Sequence, residues 1–351
     1  MNEQAIVGCI LGTAVGDSLG LPYEGMSARR AERVLGAPDR HRFCWGRGMI
    51  SDDTEHTCMV AQSMLAADGD AAVFQRALAV RLRWWLLGVP AGIGKATLLA
   101  ILKLWLGVPP RRSGVFSAGN GPAMRVALLG VLLGEDPAVL REWVRRATEI
   151  THRDPKAYWG ALTVAWAAYE SSRGGKAMAD FLPTLREWLR DETAREFLDL
   201  IEKALQSAAR GEPVATFAET IGSRKGISGY ICHTVPCVVQ VWWRYPTDYK
   251  KAVMEMIAAG GDTDTTAAIL GGIVGAGVGE EGIPATWRAG MAEWPRTRAW
   301  MKALGQNLAA QREGRLVSLC KTPYGYLIPL RNLVFLLLVL GHGVRRGLPP
   351  Y

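Results

Sequence analysis

Glycine recurs every fourth residue in two places, at Gly8, Gly12, Gly16 and Gly20 and again at Gly271, Gly275 and Gly279. Residues four apart share a helix face, so each segment, if helical, carries a strip with no side chains. A glycine inside a helix costs roughly 1 kcal/mol relative to alanine. Such a strip implies that another backbone approaches very closely, and the two segments read as central helices of a tightly packed core. The remaining pattern agrees. Ala/Leu/Arg-rich stretches at 71–87, 122–133, 138–149, 155–171, 181–190, 194–206 and 249–259 are separated by Gly/Pro punctuation such as "GVPAG" and "GVPPRRSG". Strand signals are few. The apolar run from Pro236 to Trp243 is β-branched enough to leave helix and strand both open. The fold class expected is all-α, a single compact multi-helix domain, with residues 1–295 as its body and 296–351 as a helical extension packed on the body or on a second subunit.

The chain has 351 residues, 49% hydrophobic and 21% charged, the balance of an ordinary soluble protein. Its formal charge of +8 suits an anionic ligand, but the excess is spread in pairs such as Arg111-Arg112 and Arg145-Arg146. That is a solvated basic surface rather than a nucleic-acid groove, so nucleic acid is compatible but not indicated. The six cysteines, Cys9, Cys44, Cys58, Cys232, Cys237 and Cys320, show neither CxxC pairs nor zinc spacing, which points to buried reduced thiols and a cytoplasmic setting. The N-terminal "MNEQAIVGCILGTAVG" lacks the basic start of a signal peptide. The run "LVFLLLVL", Leu333 to Leu340, is too short to span a bilayer, and its expected role is a helix whose apolar face is covered by protein.

Three acidic stations interrupt this apolar chain. The first is "GDSLGLPYEG": Asp17 falls in the last turn of the first striped helix, where it is expected to bond nearby backbone amides, and Glu24 follows Pro22 on a loop. The second is "SDDTEHT", in which Ser51, Asp52, Asp53 and Thr54 precede a helical run and Glu55 stands at capping-box spacing from Asp52. The third is "AAGGDTDTTAAILGG", with Asp262, Thr263, Asp264 and Thr265 ahead of the second striped helix. Thr, Ser and Asp are good N-caps, so each quartet alone reads as a helix start. One cap needs one oxygen, however, and each quartet supplies four oxygen-bearing side chains. If the two helix starts meet, four carboxylates and several hydroxyls converge, a donor set suited to Mg²⁺. No HExxH is present, and "AGIGKAT" fails as a nucleotide P-loop because Ala96 stands where Ser or Thr is needed.

These stations resemble the ADP-ribosylglycohydrolase superfamily, which includes the dinitrogenase reductase activating glycohydrolases and the ADP-ribosyl-arginine and ADP-ribosyl-serine hydrolases. The similar stretches are "GTAVGDSLGLPYE", "SDDTEHTCMVAQSML", "GNGPAMRVALLG", "THRDPKAYWGALTVA" and "GGDTDTTAAILGGIVGAGVGEEGIPATW", in that order from Ala5 to Trp287. The resemblance implies an all-α fold around a binuclear Mg²⁺ centre (Mn²⁺ as a substitute) at helix N-termini. Ser51, Asp52 and Asp53 would ligate from one side, and Asp262, Asp264 and Thr265 from the other. It also implies hydrolysis of the glycosidic bond between ADP-ribose and an acceptor, a protein side chain such as arginine before others. Glu24, Asp52 or Asp53 would deprotonate the water. Gly119, Asn120, Gly121 and His152 would line the ADP-ribose cleft, with Ser228, Gly229 and Tyr230 at the distal ribose and adenine. Ser117 departs from the pattern, since some members carry an aspartate there. The alternatives are a silent ADP-ribose-binding protein on the same fold, or a hydrolase of ADP-ribosylated nucleic acid or of an ADP-ribosyl metabolite.

Overall fold

The two glycine strips face each other. In the computed structural model, which describes residues 3–43, 45–174, 180–315, 317 and 320–347, they lie on antiparallel helices at backbone contact. A methyl group built on Gly8, Gly12, Gly16 or Gly20 would fall 2.2, 2.2, 2.1 and 2.3 Å from the carbonyl oxygens of Gly275, Gly271, Ala267 and Thr263. No side chain fits there, so the cost of helical glycine is offset by an approach that no other residue permits. The Tyr249 hydroxyl donates to the Gly12 carbonyl at 2.6 Å and seals one side of the contact. Gly279 departs from the expected strip: its φ of +68° breaks the helical path, and Gly8 packs against the kink.

The described helices, in order, are α1 (Glu3–Gly20), α2 (Ala28–Leu35), α3 (Asp52–Ala67), α4 (Ala71–Leu87), α5 (Lys95–Trp105), α6 (Pro110–Ser113), α7 (Ala127–Leu133), α8 (Pro137–Glu149) and α9 (Pro155–Ser172). They continue with α10 (Phe181–Trp188), α11 (Arg195–Ala209), α12 (Val214–Thr220), α13 (Ile231–Arg244), α14 (Tyr249–Ala258), α15 (Thr263–Gly282), α16 (Ala285–Gly290), α17 (Arg298–Arg312) and α18 (Ile328–Gly347). The ambiguous run at Pro236 is helical, with Pro236 inside α13. Asp70, Asp136 and Asp154 cap α4, α8 and α9 by accepting from their first free amides, which satisfies donors that the helix cannot. Around the α1–α15 axis pack α3, α7, α9, α13, α14 and α17, and one continuous apolar core runs through them. β1 (Met26–Ser27) and β2 (Gly260–Gly261) pair antiparallel and tie the segment after α1 to the segment before α15.

Cys9, Cys58, Cys232 and Cys237 are buried free thiols, and Cys44 lies outside the described residues. The two helices of the tail differ. α17 packs on α1 and α3 as part of the body, but among the described residues nothing covers the apolar outer face of α18. Leu330, Leu333, Leu337, Leu340 and Val344 are all more than half exposed. The helix also extends beyond the short leucine run, and Gly325–Val344 is long and apolar enough to cross a membrane, as is Glu3–Tyr23, which is wholly buried in the fold.

Candidate active site

The glycine contact sets where the acids go. Because Gly20 at the end of α1 meets Thr263 at the start of α15, the residues just beyond each helix end are forced together, and the Thr263 hydroxyl locks the junction by donating to the Gly20 carbonyl at 2.9 Å. Glu24 follows the 3₁₀ turn Leu21–Tyr23. The backbone amide of Gly25 donates to the Gly261 carbonyl at 2.8 Å, which brings Glu24 beside Asp262 and Asp264.

The second station enters through Asp17. This carboxylate is fully buried and accepts from the backbone amides of Ser51 (3.0 Å) and Thr54 (3.2 Å) and from the Thr54 hydroxyl (2.5 Å). Asp17 is thus structural, as expected, but the amides it binds belong to α3 rather than to its own neighbourhood. Together with the Ser51 hydroxyl, which accepts from the Asp53 amide at 3.4 Å, it caps the start of α3. Burial pushes its carboxyl up to about 6, against the downward pull of the Thr54 and Ser51 hydrogen bonds. Glu55 is no capping-box partner. It accepts from the Trp85 indole at 2.5 Å and pairs with Arg296 at 2.5 Å, deep in the protein.

The two quartets meet directly. Asp53 Oδ2 accepts from the Ser51 hydroxyl at 3.0 Å and from the Thr265 hydroxyl at 3.3 Å, joining groups 212 positions apart in the chain. Asp53 Oδ1 is buried and has no hydrogen-bond partner. Burial raises Asp52, Asp53 and Asp264 well above the usual carboxylate range. Their mutual repulsion adds to it: Asp17 and Glu55 act on Asp52, Asp52 and Asp17 on Asp53, and Glu24 and Asp262 on Asp264. Glu24 is raised by desolvation and by Asp262, with Arg346 opposing. Among the described residues none of Glu24, Asp52, Asp53, Asp262 and Asp264 forms a salt bridge, and no three His, Cys, Asp or Glu groups close into a finished metal cage. The donor set is nonetheless all oxygen, carboxylate plus hydroxyl, and suits a hard divalent cation.

A cleft of about 410 Å³ opens over this cluster. Glu24, Ser51, Asp52, Asp262, Asp264 and Thr265 line it at one end, and Gly119, Asn120, Gly121, His152 and Gly229 line it elsewhere. Asp53 lies beneath the wall. Ser228 and Tyr230 flank the cleft without lining it; the Tyr230 hydroxyl accepts from Lys156 at 3.1 Å. Asn120 links three segments: its side chain donates to Asp262 Oδ2 at 2.7 Å and to Thr234 at 3.1 Å, and its amide donates to the Gly229 carbonyl at 2.9 Å. A methyl group on Gly229 would stand 3.1 Å from Asp262 Oδ2, so this position must stay small. Gly119 and Gly121 rest on the ring of His152, whose charged form is disfavoured by burial and by Arg125 so strongly that its pKa falls to about 3. His152 is thus a flat, uncharged floor, with Nδ1 2.9 Å from the Thr151 hydroxyl.

Sequence reasoning missed part of the wall. Lys95 and Thr97, from the segment rejected as a P-loop, line the cleft together with Leu21 and Ala91, and Ser117, noted in the sequence as a departure from the family pattern, lines it too. Phe335 and Val339 of α18 do so too. The only hint of the first was its Gly/Lys composition; nothing in the spacing of the tail marks the second.

Comparison with known proteins agrees with this architecture. The ADP-ribosylglycohydrolase family profile matches residues 2–317. The chain is 28% identical over 297 residues to the ADP-ribosyl-[dinitrogen reductase] glycohydrolase of Rhodospirillum rubrum, covering 82% of this chain and 90% of that one. It is 26% identical over 350 residues to the ADP-ribosylhydrolase ARH3 of Gallus gallus, covering 85% and 91%. A solved structure described as an ADP-ribosylglycohydrolase-related protein complex superposes with a TM-score of 0.63 at 26% identity, over 88% of this chain and 98% of the other. The chain belongs to the ADP-ribosylglycohydrolase family. It is an enzyme of that class, a hydrolase of ADP-ribose linkages.

Proposed function

We propose that the protein removes ADP-ribose from modified protein side chains, arginine foremost, in a reaction that depends on two Mg²⁺ ions, with Mn²⁺ as a possible replacement. The observation that carries this reading is the acid cluster itself: buried carboxylates without a salt-bridge partner, one of them with an orphaned oxygen, at the end of a cleft. An uncompensated group of this kind is costly, and a hard cation offsets the cost. Ser51, Asp52, Asp53, Asp262, Asp264 and Thr265 would hold the ions. When bound, they would neutralise the carboxylates and offer positions for a water and a ribose diol. The name of the Rhodospirillum rubrum relative makes a protein the carrier of the ADP-ribose, which favours a protein acceptor. The buried free thiols fit a cytoplasmic enzyme.

The chain's own residues account for the rest. The Gly119–Gly121 turn lines the cleft and leaves room for the pyrophosphate, with His152 as the floor and Ser228, Gly229 and Tyr230 toward the distal ribose. Asn120 fixes the orientation of Asp262. Glu24 is exposed at the rim with its carboxyl raised, which suits a group that takes a proton from water or moves aside for substrate. Carboxylates beside the anomeric carbon stabilise the positive charge that develops as the glycosidic bond lengthens.

The test is to offer ADP-ribosyl-arginine, ADP-ribosyl-serine, ADP-ribosylated DNA and O-acetyl-ADP-ribose in parallel, with Mg²⁺ and with chelator. The expected outcome is fastest release from the arginine conjugate, abolished by chelation. Release that ignores chelation would remove the metal from the mechanism, and faster release from DNA would change the acceptor.

A further inference from the structure

α18 lies beyond the residues matched by the family profile, yet its inner face reaches the first two of the three acidic stations. At its C-terminal end His342 Nε2 is 2.9 Å from the Pro22 carbonyl, and Arg346 donates to the carbonyls of Glu24 at 2.8 Å and Pro22 at 3.3 Å. Nearer its start, Arg331 donates to the carbonyl of Ile50 at 2.6 Å and pairs with Glu293 at 2.7 Å. Glu293 in turn accepts from the Ile50 amide at 3.1 Å. These contacts grip the chain directly ahead of Ser51 and around Glu24. Between them Phe335 joins Leu21, Phe43 and Met49 in a small apolar cluster separate from the main core. Phe43 meets Phe335 and His342 edge-on at 6.0 and 5.6 Å.

We propose that α18 is a strap that positions the Glu24 turn over the acid cluster, and that Phe335 and Val339 form an acceptor subsite for a side chain with a long aliphatic stem. This rests on the hydrolase reading above. The Glu24 turn is held on one side by Gly261 through β1 and β2; on the other side, among the described residues, the Pro22 and Glu24 carbonyls are held by α18. Without that second hold, the Glu24 carboxylate samples positions away from the cluster. The apolar wall sits at the acidic end of the cleft, beside Leu21. An acceptor leaving from that end passes Phe335 and Val339. The three methylenes of an arginine can pack there, whereas the single carbon of a serine cannot.

The test pairs His342→Ala/Arg346→Ala with Phe335→Ala, with Leu337→Gln on the exposed face of the same helix as control. Amide exchange of residues 24–27 is expected to accelerate about tenfold in the double variant and not in the control, since a turn freed of its hydrogen bonds to α18 opens more often. The double variant should also lose roughly ten- to hundredfold in kcat with ADP-ribose affinity within about twofold, the pattern of a displaced group rather than lost binding. Phe335→Ala should lower kcat/KM about tenfold for ADP-ribosyl-arginine and less than about twofold for ADP-ribosyl-serine. Unchanged exchange and kcat in the double variant would overturn the strap, and equal losses on both substrates would overturn the subsite. A wild-type protein that releases ADP-ribose from nothing would overturn the functional reading instead, while the exchange experiment would still report on the strap.

Discussion

α1 and α18 are alike in composition and opposite in use. Each is long and apolar enough to cross a membrane, yet α1 is buried from Ala5 to Gly20 and α18 shows most of its leucines to solvent. The difference lies in residue size. Glycine every fourth position lets α1 meet α15 at backbone distance, so the pair has very little freedom to shift. α18 has bulky side chains on every face and attaches through a few polar and aromatic contacts, Arg331, Asn332, Phe335, His342 and Arg346 among them. Hydropathy measures how apolar a helix is; what decides its place is whether a partner can come close. The rigid pair carries the acids of the first and third stations, and the loosely attached helix borders the cleft from outside.

The sharpest way to break this comparison is to put side chains on the glycine strip. Gly16→Val should give little or no folded protein, and Gly16→Ala should destabilise by at least about 3 kcal/mol, the upper range for forcing atoms into a packed core. A thermal melt decides it: a wild-type Tm for Gly16→Ala would show that the helices can part freely. Next in size is Gly229→Ala. Its methyl group would press on Asp262 Oδ2 at 3.1 Å and disturb Asn120, so activity should fall roughly tenfold with a Tm close to wild type. In chelator, Asp264→Asn should raise stability by about 1 kcal/mol, because it removes one of several repelling buried carboxylates. A loss of stability there would mean that the cluster is compensated by the protein itself. The smallest effect belongs to α18. Leu333→Gln or Leu337→Gln should change stability by less than about 0.5 kcal/mol, as for other exposed positions. A large loss would show that this face is buried in solution.

The legibility of the chain follows the same divide. Strong periodicity and capping acids made most helices readable to within a few residues, and the glycine spacing pointed to close packing before any partner was known. The meeting of Ser51–Asp53 with Asp262–Thr265 could be posed from their composition, because two surplus sets of oxygens call for a common explanation. What could not be read were contacts that depend on three-dimensional accident. Asp17 caps a helix 34 residues away, Glu55 pairs with Arg296, and α18 reaches Pro22 across 320 residues. No local pattern encodes such pairings. The kink at Gly279 was hidden for a different reason: glycine fits both a helix strip and a positive φ, so its spacing could not tell one from the other.

The central claim is that the glycine-packed helices bring the acids together to serve a divalent cation in ADP-ribose hydrolysis. Its most direct test is a Mg²⁺ titration of ADP-ribose release from ADP-ribosyl-arginine, run on the metal-stripped wild type and on Asp264→Asn, with Mg²⁺ binding followed by calorimetry on both. The account predicts saturable recovery of wild-type activity in step with binding. For Asp264→Asn it predicts weaker Mg²⁺ binding and at least about hundredfold lower release, since asparagine keeps the size but not the charge that a hard cation needs. Full activity in the stripped wild type, or equal Mg²⁺ binding by the two proteins, would contradict it.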